Sequence, residues 1–258
     1  MTQRIAYIAS NTFREAVRDR VLYNLILFVL LLVGSAVLFG QISMEIERIV
    51  VINLSLTAIS IFGVVIAIFI GIQLVSKEID KKTLYTVLAR PVRRWEFIVV
   101  KFFGLVETLA VNTLFMALGF YAALFYVSSG LHKSDLNILL AIYFIVLQFV
   151  IITSLALLFS SFSTPIFSAI FAFALFVIGT FADDLKNFAA LAQGATHWLI
   201  TGVAYLLPNF GSLNVIGSVA HDQPVSLALF VHNSLYAVLY SCAAVCGAAL
   251  IFERRNLK

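Results

Sequence analysis

Glu107 is the residue of this chain best placed to do chemistry, because it is an acidic side chain deep inside a long apolar run. Counted from Phe97 at about 1.5 Å per helical residue, it lies about 15 Å along a helix that would span a membrane. An ionisable group at that depth is costly, so it predicts contact with a substrate, an ion or a proton in a translocation path. The alternative is a structural role, in which a protonated Glu107 bonds a polar side chain such as Asn112 or Gln148.

Signatures of enzyme active sites are missing from the sequence. There is no HExxH pair for a metalloprotease and no GxSxG nucleophile elbow. A GxxxxGK[ST] phosphate loop is also missing, because Lys82-Thr83 and Lys133-Ser134 lack the required glycines. The sequence therefore predicts no catalytic residue, no metal site and no cofactor, and any ATP hydrolysis must come from another protein. The four histidines are expected in loops or at interfaces: His132, His197, His221 and His232.

The two cysteines, Cys242 and Cys246, stand one helical turn apart. Side chains with this spacing on one helix rarely meet the geometry of a disulfide. We therefore expect them to be small packing residues. The alternative is a metal-binding pair or a redox switch.

The composition places the chain in a membrane. It is 62% hydrophobic and 12% charged, whereas a soluble domain is about 25% charged. Six apolar runs are long enough to span a bilayer, which takes about 20 residues. They cover residues 21–40, 49–76, 97–127, 136–160, 165–182 and 225–251. The predicted fold is an all-α integral membrane protein with six transmembrane helices, in which residues 1–258 form a single transmembrane domain.

The basic residues predict how these spans are oriented. If the N-terminus lies inside and the spans alternate, 14 of the 17 Lys and Arg residues face the cytoplasm. Only Arg48, Lys133 and Lys186 then face outside. This asymmetry follows the positive-inside rule, so we expect both termini in the cytoplasm.

Two segments outside the spans have patterns of their own. Residues 1–20 alternate an apolar and a basic face, which predicts an interfacial helix on membrane lipid. The alternative is that they lengthen the first span. Residues 183–224, expected outside, contain apolar runs too short to span and predict short re-entrant helices before the last span. The alternative is an extracellular cap packed on the bundle.

Residues 77–94 form the most unusual loop, because they carry 6 of the 17 Lys and Arg residues between two apolar runs. Ile79, Leu84 and Leu88 can form an apolar stripe, and a helix is expected to end just before Pro91. The segment therefore predicts a short amphipathic cytoplasmic helix on which a partner docks. The alternative is that its basic residues only anchor the topology.

Gly63, Ala67 and Gly71 recur at intervals of four in the second span. Small residues at this spacing let helices approach closely. We expect them to pack helices within the subunit, and the alternative is that they line a seam between two subunits.

Three stretches of the sequence resemble the integral membrane subunit of ABC-2 type ATP-binding-cassette transporters. Residues 11–20 (NTFREAVRDR) resemble the connecting helix before span one, and residues 205–210 (YLLPNF) resemble the proline-bearing segment before the last span. Residues 78–94 resemble the coupling helix between spans two and three, and this match is the most specific. With six spans and both ends inside, the resemblance covers essentially the whole chain.

The resemblance implies a permease subunit in a plasma membrane, the bacterial inner membrane, that exports an unidentified substrate while a separate protein hydrolyses ATP. The implied partners are a cytosolic ABC ATPase dimer, a second permease subunit in a homo- or heterodimer, and membrane lipid, with no nucleic acid. The alternative is a membrane anchor or mechanotransmission scaffold for an ABC ATPase, which passes no substrate. The residues implied to contact the ATPase are Glu78, Asp80, Lys81, Lys82, Thr83, Leu84, Leu88, Arg90, Pro91, Arg93 and Arg94.

Overall fold

The structure is a computed structural model that describes residues 47–80, 94–128 and 135–254, together with the isolated positions Ile26, Leu30 and Gly34. Side chains are described for 48–72, 95–125 and 135–253 within these ranges. The described residues form helices joined by turns, with no β-strand among them, so the predicted all-α class is confirmed for this part of the chain. The helices are α1 (Glu47–Asp80), α2 (Arg94–Ser128), α3 (Leu136–Phe162), α4 (Pro165–Thr180), α5 (Ala182–Leu191), α6 (Ala195–Leu206), α7 (Ile216–Ala220) and α8 (Leu227–Arg254).

Four of these helices are long and apolar enough to cross a membrane. They contribute Arg48–Ile72 of α1, Trp95–Phe125 of α2, Leu136–Phe162 of α3 and Leu227–Glu253 of α8. The pair α4 and α5 passes the same test together and is bent by 55°. The described residues therefore contain four candidate spans, or five if the bent pair is one span. The four overlap the predicted runs 49–76, 97–127, 136–160 and 225–251, and α4 lies within the run 165–182.

Some predicted elements fall outside the described residues. They are the interfacial helix at 1–20, residues 81–93 of the predicted coupling helix, and most of the first span at 21–40. Within that span, Leu30 is helical and lies against Gly119 of α2. The count of six spans therefore stays a prediction.

α3 is the central helix of the bundle and contacts α1, α2, α4 and α8. It is apolar on all sides, as expected of a helix surrounded by other helices. Its serines Ser154, Ser160 and Ser161 donate to carbonyl oxygens three residues earlier, at 2.6 to 3.0 Å. Gln148 donates across to the hydroxyl of Ser60 on α1 at 3.2 Å. Because a membrane offers no water to unpaired polar groups, these bonds let polar residues stand in the core.

α1 approaches α3 closely because small residues of α1 face it. A Cβ atom at Gly63 would overlap the phenyl ring of Phe149, and one at Gly71 would lie 3.0 Å from the Cβ atom of Ala156. Ala67, between the two glycines, is fully buried. The structure thus places all three small residues of the predicted stripe on the surface between α1 and the rest of the subunit.

α2 and α8 form a second apolar core on another side of α3. Phe97 of α2 and Phe252 of α8 stack with their ring centroids 6.2 Å apart. The ammonium group of Lys101 lies 5.5 Å from the centroid of the Phe97 ring, although the Lys101 side chain is buried. This core holds the two spans together at the end where α2 begins and α8 ends.

α4 is attached to the bundle along one narrow stripe, where Ser168, Ala172 and Gly179 are its buried residues. It begins at Pro165, the predicted first helical residue, after an extended Thr164. Most of its remaining surface is apolar and exposed. The exposed residues include Ile166, Phe167, Ile170, Phe171, Phe173, Val177 and Ile178.

We predict that Gly63→Ala destabilises the protein, because the added methyl group overlaps Phe149 in a tightly packed interface. The expected loss is about 1–3 kcal/mol in the free energy of unfolding, the usual range for overpacking. Thermal unfolding of the purified protein in detergent measures it. Gly202→Ala is the matched control, because a Cβ atom there meets nothing within 4 Å.

The double variant Gly63→Ala with Phe149→Leu isolates the contact, because leucine lacks the ring atoms that the new methyl group would meet. Gly63→Ala should cost markedly less in the Phe149→Leu background than in the unaltered chain. An equal cost in both backgrounds would contradict the packing described here.

Candidate functional site

A groove lies between α1 and α4 on the surface of the bundle. It has a volume of about 380 Å³, and every described residue in its wall is apolar. The rims carry half-exposed side chains, Phe69 on α1 and Ile170 and Phe173 on α4. The wall consists of Val65, Ile68, Phe69, Ala169, Ile170, Phe173 and Ala174.

Helical spacing explains why the groove is there. Val65, Ile68 and Phe69 are spaced to share one face of α1, different from the face of the small residues that meet α3. On α4, Ala169 and Ala174 are too small to fill the space beside α1. The narrow attachment of α4 therefore leaves a cleft between two helices that both belong to candidate spans.

The chemistry that this groove can offer is shape and dispersion. Among the described residues, its wall contains no charged or hydroxyl-bearing side chain, so this wall does not replace the hydration shell of an ion or a sugar. Lipid tails are as apolar as the wall, and a ligand gains there by fitting better than the tails do. The groove therefore suits the apolar part of a molecule already dissolved in the bilayer.

A cluster of polar side chains, here called the Asn209 cluster, fixes the other end of α4. The Asn209 amide donates to Asp183 at 2.6 Å, and its carbonyl oxygen accepts from the backbone N–H of Ser212 at 3.0 Å. The backbone N–H of Asn209 donates to the hydroxyl oxygen of Tyr236 at 2.8 Å, and Lys186 pairs with Asp183 at 3.0 Å. The cluster ties the start of α5, the loop after α6 and α8 into one unit.

Backbone contacts reinforce the same junction. The N–H of Phe210 donates to the carbonyl oxygen of Gly179, the second-last residue of α4, at 3.0 Å. A Cβ atom at Gly179 would overlap the carbonyl oxygen of Pro208 and the ring of Phe210, so the approach requires glycine. Residues 205–210, picked out by the resemblance, thus include the loop that seats α4, although the sequence did not indicate their partners Asp183 and Tyr236.

α5 and α6 form a short helical hairpin beyond this junction. Gly194 makes the turn with a φ of 65°, a conformation that glycine adopts without strain. The ring nitrogen Nδ1 of His197 lies 2.8 Å from the carbonyl oxygen of Ala189, which closes the hairpin. Much of its surface is apolar and exposed, and the largest exposed side chains are Phe188, Leu191, Trp198, Leu199, Val203, Tyr205 and Leu206.

Glu107 does not lie in the groove or in the buried core of the described residues. It is exposed on a face of α2 shared with Phe103 and Leu114, and its place in a translocation path stays a prediction. The apolar residues of α2 that pack on α1, α3 and α8 decide which face is buried, and Glu107 falls outside that face. Asn112 and Gln148, its proposed polar neighbours, are both buried.

The predicted ATPase-contact residues are described only at their edges. Glu78 and Asp80 belong to the last turn of α1, and Arg94 is the first residue of α2, all without described side chains. The other residues of that set, from 81 to 93, lie outside the described part of the chain. α1, one wall of the groove, leads directly into this segment.

The other candidate residues are peripheral to the groove. Cys242 and Cys246 are free cysteines exposed on α8, so the described residues do not bear out the expectation that they are small packing residues. His221 places its Nδ1 atom 2.8 Å from the carbonyl oxygen of Gly217. Nothing in the side-chain pattern indicated the groove, because it depends on how far α4 stands from α1.

A model of the family described as "ABC-2 family transporter protein" matches residues 6–257. The match spans nearly the whole sequence, so the chain belongs to this family and the resemblance drawn from its residues is confirmed. A comparison with curated proteins finds no match. Its family and its apolar helices make the chain a multi-pass membrane protein. It is a permease subunit of an ABC transporter. Permeases of this family associate with an ABC ATPase.

We predict that Asn209→Ala destabilises the protein, because it leaves the N–H of Ser212 without its partner and removes one donor from Asp183. The expected loss is about 1–3 kcal/mol in the free energy of unfolding. Thermal unfolding in detergent measures it, with Asn187→Ala, an exposed position on α5, as the matched control. Equal melting temperatures for the two variants would contradict the role given to the Asn209 cluster.

Proposed function

We propose that this ABC-2 family protein exports an apolar or amphiphilic molecule that it takes from the bilayer through the groove between α1 and α4. The observation that carries the proposal is the groove between α1 and α4, in whose wall all the described residues are apolar. A cargo of ions or small polar molecules would need polar groups in that wall, since each would lose its hydration on entering.

The position of the groove supports export. Ala169 and Ala174 lie about 6 to 14 Å along α4 from Pro165, at about 1.5 Å per residue. That is the end of the bundle to which the segment 77–94 also belongs. The positive-inside rule assigns this end to the cytoplasm, with both chain termini, in a plasma membrane such as the bacterial inner membrane. Cargo would therefore enter from the cytoplasmic leaflet.

We propose that a separate ABC ATPase dimer docks on residues 77–94 and powers export by hydrolysing ATP. The family match and the missing phosphate loop support a separate ATPase. The segment is continuous with α1, in which Phe69 lies about two helical turns before Lys77. A displacement of the segment would therefore move one wall of the groove while the Asn209 cluster holds the far end of the other.

The exposed apolar surfaces support two further proposals. A second permease subunit, identical or related, would pack on α4, which has few contacts of its own. The hairpin of α5 and α6 would lie in the outer leaflet as a re-entrant element, continuous with α4. Trp198 supports this position, because tryptophan side chains favour the membrane interface.

We predict that filling the groove with Ala169→Phe and Ala174→Phe excludes bilayer molecules from it. The purified complex in vesicles is exposed to a phosphatidylcholine whose acyl chain carries a photoactivatable diazirine, and labelled residues are identified by mass spectrometry. Labelling of Val65, Ile68 and Phe69 should fall in the filled variant. Ala110→Phe, on an exposed face of α2, is the matched control and should label as the unaltered chain does.

The same variants separate the permease from the scaffold that passes no substrate. A permease with a filled groove should lose any stimulation of ATP hydrolysis by bilayer lipids while it keeps its basal hydrolysis. A scaffold should hydrolyse ATP equally with the groove open or filled. Unchanged labelling and unchanged hydrolysis in the filled variant would contradict the proposed cargo site.

We predict that reversing two charges at the end of α1, with Glu78→Lys and Asp80→Lys, releases the ATPase. The added positive charges disturb the docking segment but leave the spans intact, so membrane insertion should be unchanged. Copurification of a coexpressed partner ABC ATPase measures the association. Asp184→Lys, on α5 at the opposite end of the bundle, is the control. A complex that still assembles with full activity would contradict the docking site.

We predict that Glu107→Gln flattens the pH dependence of ATP hydrolysis by the complex if Glu107 belongs to the translocation path. The substitution keeps the size of the side chain and removes its ability to exchange a proton. A pH profile identical to that of the unaltered complex would leave Glu107 with a structural role on the face of α2.

A further inference from the structure

Arg48 joins three parts of the chain at the end of the bundle where α1 begins. Its Nη2 atom lies 2.6 Å from Asp135 at the start of α3, and its Nη1 atom lies 3.1 Å from Asp222 after α7. The Asp135 side chain is 6% exposed, whereas that of Asp222 is 49% exposed. The pair with Asp222 is therefore the one that water and salt weaken most.

The exposed ion pair between Arg48 and Asp222 attaches the very short helix α7 to α1. α7 has five residues, and Ile216, Val219 and Ala220 are buried where it packs on α1 and α3. Asp222 follows with a φ of 56°, a left-handed conformation in which residues other than glycine are uncommon. Its N–H donates to the carbonyl oxygen of Val219 at 3.1 Å. This turn brings the Asp222 carboxylate to Arg48.

The described residues bury α1 on the core side of Arg48. Ser55 lies about two helical turns along α1 from Arg48 and is fully buried. Among the described residues, its hydroxyl has no hydrogen-bond partner.

We propose that α7 is a plug over this end of the bundle and that the Arg48–Asp222 ion pair is the latch that holds it shut. The buried pair with Asp135 keeps α1 and α3 together, and the exposed pair opens and closes. Residues 221–224, all exposed, link the plug to α8. The proposal rests on the proposed function, because it assigns the release of cargo to the extracytoplasmic end.

The test places one thiol at a fully buried position of α1, about two helical turns from Arg48. Cys242→Ala and Cys246→Ala remove the native thiols, and Ser55→Cys reports access from outside. Intact cells are treated with a cationic, membrane-impermeant methanethiosulfonate, and the labelled fraction is followed with time. Asp222→Asn tolerates the left-handed backbone but loses the charge, and it should speed labelling about fivefold, as expected for a lost exposed ion pair. Asp184→Asn, a matched exposed aspartate, should leave the rate unchanged.

Salt gives a second measurement that needs no change at Asp222. Raising the ionic strength from about 0.1 M to about 1 M shortens the screening length from about 10 Å to about 3 Å. The Ser55→Cys chain with Asp222 in place should then label faster, and its Asp222→Asn counterpart should respond much less. Labelling that responds neither to Asp222→Asn nor to salt would overturn the latch.

Labelling at Ser55→Cys also distinguishes two outcomes: that the latch is absent, and that the proposed transport is absent. Faster labelling in Asp222→Asn supports the latch even if ATP hydrolysis by the complex leaves the labelling rate unchanged, and that second result would count against transport. Labelling that occurs in inside-out vesicles but never in intact cells would overturn the release step assigned to this end.

Discussion

The close approach of α1 to α3 is the constraint on which the rest of the structure depends. In a bilayer, helices gain little from leaving lipid, so they associate by fitting together. Gly63 makes room for the ring of Phe149, and Gly71 brings α1 onto Ala156. The central helix α3 can then be apolar on every side, because its serines bond to its own backbone.

The groove follows from the difference between α1 and α4. α1 is held along its length, whereas α4 is held by a stripe of three buried residues and by its end at Gly179 and Phe210. The space between them stays open because Ala169 and Ala174 are small. α4 is fixed at one end and lies beside α1, which is continuous with the proposed ATPase-docking segment at residues 77–94. A displacement of that segment could therefore change the width of the groove.

The sequence predicted features that local residue patterns control, such as where helices lie and begin. It did not predict contacts between residues that are far apart in the sequence. Apolar runs anticipated the four helices that are long enough to span, and Pro165 marked the start of α4 because proline fits the first helical turn. The exposure of Glu107 depends on which face of α2 meets its neighbours, and a lone charge in an apolar run does not encode that. Arg48 meets Asp222 across 174 positions of sequence, a contact that no periodicity reveals.

The central claim is that the ATPase changes the width of the groove, and a distance across it is the most direct test. Spin labels at Phe69→Cys on α1 and Ile166→Cys on α4, in a chain without Cys242 and Cys246, report that distance by pulsed electron paramagnetic resonance. The account predicts different distance distributions for the nucleotide-free complex and the complex trapped with ATP and vanadate. Identical distributions in an assembled complex that hydrolyses ATP would contradict it.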